Sequence, residues 1–224
     1  MTTSDQRAAA ATLPIDPFSA DDALIAEVEE QRRAVRRVYT LDGTVVVLGR
    51  GSSVEREIDE VACRRDGVAV LRRRGGGCAV LIDPGNVIVS AALPLEGIGG
   101  NRCHLDRLSD WLRDGLERLG AAGVERQGIC DLVQAGRKIS GACLYRARGL
   151  LYYSATLMVE ARVELLGRYL RHPPREPDYR AGRRHEHFVG LLQLPRPLPA
   201  AAVAAALSAA LAPLPTAAPC EARG

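Results

Sequence analysis

The chain has 224 residues, 47% hydrophobic and 25% charged, with a net charge of +3. That length suits one large domain, or one domain with a small appendage, able to bury its own core. The composition excludes a disordered chain. The weak net charge gives no footprint for nucleic acid, and no apolar run reaches the length of a transmembrane helix. The first twelve residues are polar and Ala-rich, with Asp5 early and no basic stretch leading into an apolar one. A signal peptide is therefore not expected, no membrane partner is implied, and the cytoplasm is the default location.

Residues 1–18 lack periodicity, contain Pro14 and Pro17, and read as a flexible lead-in. Ser19 followed three residues later by Asp22 reads as a helix start, with the helix running over 19–37 and carrying Leu24, Val28 and Val35 on one face. Residues 44–48 read as a buried strand, 49–53 as a loop and 54–65 as a second helix. A short strand over 68–71 precedes a basic, glycine-rich loop over 72–78. Strands over 79–82 and 87–93 flank the turn Asp83-Pro84-Gly85-Asn86. Leu105, Leu108, Trp111, Leu112, Leu116 and Leu119 fall at helical spacing, so 102–121 reads as an amphipathic helix.

A hairpin is expected over 131–139, turning at Gln134-Ala135-Gly136. Another joins 142–145 to 150–159 around Ala147-Arg148-Gly149. Residues 163–170 read as a helix, 172–185 as a loop dense in Pro, Arg and His, 198–211 as an Ala-rich helix, and 213–224 as a flexible tail. Helices mixed with hairpin strands predict an α+β fold of mostly antiparallel, mixed sheets flanked by helices, with one domain over 19–212.

The cysteines at 63, 78, 103, 130, 143 and 220 form no C-x-x-C pair and have no nearby His at ligand spacing, so no zinc site is expected and most should be reduced. Three features carry chemistry. In Arg72-Arg73-Arg74-Gly75-Gly76-Gly77, glycines free backbone N–H groups to face an anion and arginines add forked donors. The loop lacks the Gly-Lys-Ser/Thr of a P-loop. The second feature is Lys138, the chain's one lysine, set in Gly136-Arg137-Lys138-Ile139-Ser140-Gly141. It reads either as an exposed hairpin lysine or as a compact charge for a carboxylate and for the charge that develops during acyl transfer. The third is the loop ending Tyr179-Arg180-Ala181-Gly182-Arg183-Arg184-His185. Its Arg180, Arg183 and His185 would serve a lid over an anionic ligand or a grip on an acidic carrier, if the loop is more than a solvated charged segment.

These segments, in this order, resemble the lipoate–protein ligase A family within the biotin/lipoyl ligase fold, over most of the chain from Leu24 to Leu211. Val46 through Arg50 is similar to the family's strand ending in Gly-Arg. Arg72-Arg73, Gly76-Gly77 and Asp83 through Asn86 are similar to its arginine pair, glycine loop and Asp-x-Gly-Asn turn. Asp131-Leu132-Val133 with Lys138 resembles its catalytic-lysine segment, and Thr156-Leu157 the strand that follows. Four departures stand out. Gly75 replaces a Ser or Thr and Cys78 a Gly or Arg. Cys130 replaces an Asn, and Tyr153-Ser154-Ala155 replaces His-His-Gly. The chain ends where many ligases continue into an accessory domain.

The resemblance implies an ATP-dependent, AMP-forming ligase for lipoate or octanoate, assisted by Mg²⁺. It implies a lipoyl-domain or H-protein-like carrier as partner, and a separate small accessory subunit in some relatives. It assigns Lys138 to the acid's carboxylate and the adenylate. Arg72, Arg73, Gly75, Gly76, Gly77 and Cys78 are assigned to the anion cradle, and Asp131 to phosphate or metal. Ser140, Gly141, Ala142, Ser154, Ala155 and Thr156 are assigned to substrate or nucleotide. Asp83 and Asn86 are expected chiefly to hold their turn. The rivals are an octanoyltransferase of the same fold working through a cysteine thioester, with Cys78, Cys130 and Cys143 the nearby thiols, and a non-catalytic carrier-binding protein.

Overall fold

The computed structural model describes residues 13–97, 99–147 and 149–215. Among the described residues ten strands form two sheets. The larger has six strands in the order β2-β6-β10-β9-β8-β7, all antiparallel: β2 (Val35–Tyr39), β6 (Asn86–Pro94), β7 (Val124–Gln127), β8 (Asp131–Gln134), β9 (Arg137–Ala147) and β10 (Leu150–Met158). The smaller has the order β1-β4-β3-β5. In it β1 (Ile15–Pro17) and β3 (Val45–Leu48) run parallel to β4 (Ala69–Arg72), and β5 (Val80–Ile82) is antiparallel to β3. The expected α+β class holds.

Strand β10 shows how the sequence builds the core. Leu151, Tyr153, Ala155 and Leu157 alternate onto one face and join the main apolar cluster, while Leu150 and Tyr152 belong to a separate cluster on the other. Helix α4 (Asn101–Arg118) lays its leucine stripe and Trp111 into the main cluster, as its spacing predicts. Helix α7 (Ala200–Ala210) covers the same cluster with Val203 and Leu207, and Gly115 lets it approach. A Cβ at Gly115 would sit 2.6 Å from Leu211. The opposite face is covered by α1 (Asp22–Gln31) through Leu24, Ile25 and Val28.

Several expectations are corrected. Residues 15–17 of the lead-in form an edge strand, because β4 offers a free parallel partner; residues 1–12 lie outside the described residues. The first helix ends at Gln31, where Arg32 turns left-handed (φ 52°), and residues 35–39 become β2 because the edge of β6 takes them. Ser19 makes no side-chain cap; the N-cap is Asp21, whose carboxylate bonds elsewhere. The second helix breaks into α2 (Val54–Glu57) and α3 (Glu60–Arg65). Ile58 there extends to bridge Leu170, and Asp59 caps α3 by accepting from Ala62 N at 2.9 Å.

Strand β7, with a single apolar residue, gave no sequence signal. Residues 142–145 are not a separate strand, since β9 is continuous. Helix α5 (Glu164–Tyr169) matches its expectation. The loop over 172–185 contains a 3-10 turn (Asp178–Arg180) and leads into α6 (His185–Phe188). Ala212, at the end of the expected domain, and Leu214, in the expected tail, both pack against the core; residues 216–224 lie outside the described residues. Cys63, Cys78, Cys130 and Cys143 are free thiols, whereas Cys103 is disulfide-bonded.

Leu112 is fully buried where α4 meets the sheet. Leu112→Ala should destabilise the domain by about 2–5 kcal/mol, read as a lower urea midpoint at unchanged m-value.

Candidate active site

The glycine-rich loop between β4 and β5 is held by three side chains. Arg72 Nη1 donates to the carbonyls of Gly49 (2.8 Å) and Ser52 (3.0 Å). Arg73 reaches the carbonyls of Val47 (2.9 Å), Gly76 (2.7 Å) and Cys78 (2.8 Å). Glu57, buried, accepts from Ala79 N (2.6 Å) and Ser52 Oγ (2.9 Å). Arg72 and Arg73, expected to face an anion, thus bind backbone carbonyls: Arg73 those of the glycine-rich loop itself, Arg72 those of the neighbouring 49–52 segment. Gly49 must be glycine, since a Cβ there would lie 2.0 Å from Gly77 O. Gly76 faces open space, and a cleft of about 180 Å³ beside it is lined by Arg50, Arg74, Tyr145 and Arg146 among others. Gly75, the departure from Ser or Thr, has its reason in Cys143: a Cβ at 75 would sit 2.7 Å from that thiol.

Lys138 stands near the start of β9. Ala135 and Gly136, both left-handed (φ 50° and 72°), make the tight hairpin turn into it. A register irregularity at Leu132 and Val133 sets Lys138 opposite Val133 and Ser140 opposite Leu132. Lys138 Nζ then lies 2.7 Å from Asp131 Oδ1, with the lysine side chain 26% and the aspartate 10% exposed. Gly141 leaves room for the ammonium; a Cβ there would meet Nζ at 2.8 Å. Gly141 and Cys143 share one face of β9, so the glycine loop over Cys143 lies along the strand from the lysine. Thr156 pairs with Gly141, and Ser154 with Cys143. Ser140 is buried, Ala155 likewise, and the Ala142 carbonyl accepts from Cys130 Sγ at 3.1 Å.

The loop over 172–185 folds onto this pair. Tyr179 OH donates to Asp131 Oδ2 at 2.7 Å. Arg180, 4% exposed, lies over the Phe188 ring and donates through Nε to Arg183 O (2.9 Å), while its Nη2 is buried without a hydrogen-bond partner. Arg183 donates to Tyr179 O at 2.8 Å. His185 Nε2 lies 3.1 Å from Arg171 O. Cys78 Sγ touches Arg175 O at 3.7 Å.

Asp83 and Asn86 serve their turn, as expected. Asn86 Oδ1 accepts from Asp83 N (2.8 Å), and Asp83 accepts from Gly85 N and Arg162 N. Asp131, the candidate metal contact, already has both oxygens engaged. No group of three or more His, Cys, Asp or Glu able to hold a metal occurs among the described residues. Burial pushes the Cys130 and Cys143 thiols up, against the thiolate a nucleophile needs.

Sequence reasoning passed over Tyr179 and Glu57. Tyr179 lies inside a flagged loop whose cations drew the attention, and a lone Glu in a helix gives no signal. It also passed over Asp21, a buried carboxylate that accepts from Tyr39, Tyr152 and Ser90 hydroxyls, with Ser154 Oγ 3.2 Å from Ser90 Oγ.

The glycine loop of the four-stranded sheet thus lies over the strand of the six-stranded sheet that carries the carboxylate-paired lysine, which joins the two sheets of an α+β domain at one site. A family model described as the lipoyl protein ligase A/B catalytic domain matches residues 14–212, and the chain belongs to that family. It is 30% identical over 126 residues to a lipoate–protein ligase of Streptococcus pyogenes, covering 56% of this chain and 36% of that protein. The chain spans about a third to a half of the length of the curated relatives it matches.

Among solved structures, it superposes at TM-score 0.66 and 19% identity on a chain from work on a bi-partite lipoate protein ligase and its E2 lipoyl domain from Thermoplasma acidophilum. That match covers 89% of this chain and 78% of the other. A lipoate–protein ligase A bound with ATP gives TM-score 0.61 at 19% identity, covering 89% and 80%. These superpositions establish the fold. No helix among the described residues is long and apolar enough to cross a membrane.

Burial is the first cause holding His185 below the usual histidine pKa, with Arg180 and His172 adding repulsion. The fold therefore favours the neutral ring. Its contribution is complete above about pH 6.5 and is lost as pH falls through the lowered folded value. Thermal melts should show wild type losing its advantage over His185→Gln between pH 7 and pH 5, and a constant gap would refute the assignment.

Proposed function

We propose that this domain activates lipoate or octanoate with ATP and transfers the acyl group to a lysine of a lipoyl-domain or H-protein-like carrier. The observation that carries this reading is the half-buried Lys138 ammonium, fixed 2.7 Å from Asp131 on the strand over which the glycine loop lies. A carboxylate oxygen of the acid attacks the α-phosphorus of ATP and pyrophosphate leaves. The carrier's amine then attacks the acyl carbon, AMP leaves, and the amine proton passes to solvent. Lys138 forms no covalent bond. Its role is to hold the acid's carboxylate and to offset charge that grows at the reacting centre.

Buried Arg180 Nη2 offers an unused donor to an anion, and the open Gly76 backbone and the arginine-lined cleft offer more. The ATP-bound neighbour supports a nucleotide substrate here. With both Asp131 oxygens engaged, Mg²⁺ would arrive on the nucleotide's phosphates and be held mainly by them. The bi-partite neighbour and its E2 lipoyl domain support a carrier partner and a separate accessory subunit, and the cytoplasm is where such carriers would be met. Against the octanoyltransferase alternative, burial keeps the Cys130 and Cys143 thiols protonated.

The test is acylation of a purified lipoyl domain, read by intact mass. A mass gain with ATP, Mg²⁺ and free acid is expected. A gain only with octanoyl-acyl carrier protein and no ATP would replace this reading by the transferase. Lys138→Ala should stay folded but melt lower, because the largely buried Asp131 carboxylate loses its counter-charge, and lose at least about a hundred-fold in acyl-adenylate formation.

A further inference from the structure

The Asp131 carboxylate is divided between two partners. Oδ1 takes Lys138 Nζ at 2.7 Å and Oδ2 takes the Tyr179 hydroxyl at 2.7 Å. The torsion that turns a carboxylate about its last bond is broad, so one contact leaves its plane free. A second bond at the other oxygen fixes that plane, and with it the point at which a flexible lysine stem must deliver its charge. Tyr179 is suited to this because it is itself held. Its ring lies 5.2 Å from that of Phe188, its carbonyl accepts from Arg183, and Gly128 gives it space, since a Cβ at 128 would sit 3.4 Å from the ring. Burial and the Asp131 charge both keep the phenol protonated, so it remains a donor.

The two residues come from distant parts of the chain. Asp131 begins β8, while Tyr179 sits in the 3-10 turn of the loop that covers the site. Charge stabilisation in acyl transfer depends on placement within fractions of an ångström. We propose that Tyr179 is a positioning residue: its hydroxyl locks Asp131, so that Lys138 reaches its working position only when the covering loop is down. This rests on the acyl-activation reading above, and it adds a residue that touches neither acid nor nucleotide.

Because Lys138 is the chain's one lysine, lysine labelled with ¹³C at Cε gives a single side-chain resonance that needs no assignment. The experiment compares wild type, Tyr179→Phe, Asp131→Asn, the double variant, and Tyr169→Phe as a control, whose hydroxyl bonds Asp66 instead. Two quantities are read: that resonance, and acid-dependent pyrophosphate release. Tyr179→Phe should shift and sharpen the Lys138 resonance toward its position in Asp131→Asn. It should lower kcat about ten- to a hundred-fold, with KM for acid and ATP within about twofold. Adding Tyr179→Phe to Asp131→Asn should change nothing further, and Tyr169→Phe should leave both readings at wild-type values. An unmoved resonance in Tyr179→Phe overturns the proposal, and so does an unchanged kcat. If wild type releases no pyrophosphate with either acid, the activity reading falls by itself and the resonance still decides the role of Tyr179.

Discussion

The ion pair between Lys138 and Asp131 organises the site. An exposed pair of this kind is worth about 0–1 kcal/mol, and its geometry wanders. This one is partly withdrawn from water, so losing one partner would leave the other charge poorly solvated. Several local features follow from that requirement. The hairpin turn at Ala135 and Gly136 sets the register, the irregularity at Leu132 and Val133 turns Lys138 toward Asp131, and Gly141 clears the space above the strand. Each would be unremarkable alone. Together they bring one ammonium to one carboxylate, with Tyr179 closing the other side.

The glycine loop is solved differently. Its order comes from charged side chains spent on the backbone. Arg72 and Arg73 bind carbonyls, and buried Glu57 binds an amide and a hydroxyl. A loop with Gly75, Gly76 and Gly77 in sequence has high conformational entropy when free. Fixing it from both sides gives the exposed backbone at Gly76 a defined shape before any ligand arrives, which is what preorganised binding needs. The donor left over for a ligand is the buried Arg180 Nη2; of the arginines around the cleft, Arg74 pairs with Asp22 and Arg146 binds the Gly97 and Gly99 carbonyls.

Much of this was legible along the chain. The stripe of α4, the turn at Asp83 through Asn86 and the hairpin carrying Lys138 each depend on residues within a few positions of one another, and local chemistry settles them. Other elements depended on partners far away. Residues 35–39 look helical as readily as extended, and only the free edge of β6 makes them a strand. Ile58 breaks a helix because Leu170 bridges to it. Arg72 and Arg73 were recognisable as important, yet whether they face a ligand or a carbonyl depends on where residues 47–52 lie.

The sequence alone determined the α+β class, the glycine loop, the isolated lysine and the family, because those are carried by composition, spacing and contiguous motifs. Tertiary structure alone decided which carboxylate pairs with Lys138, that Tyr179 joins it from 48 residues away, that Gly75 is dictated by Cys143, and that Glu57 holds the loop. The physical reason is range. Backbone propensity and periodicity act over a few residues, whereas hydrogen bonds and steric exclusion act between any atoms the fold brings within contact distance.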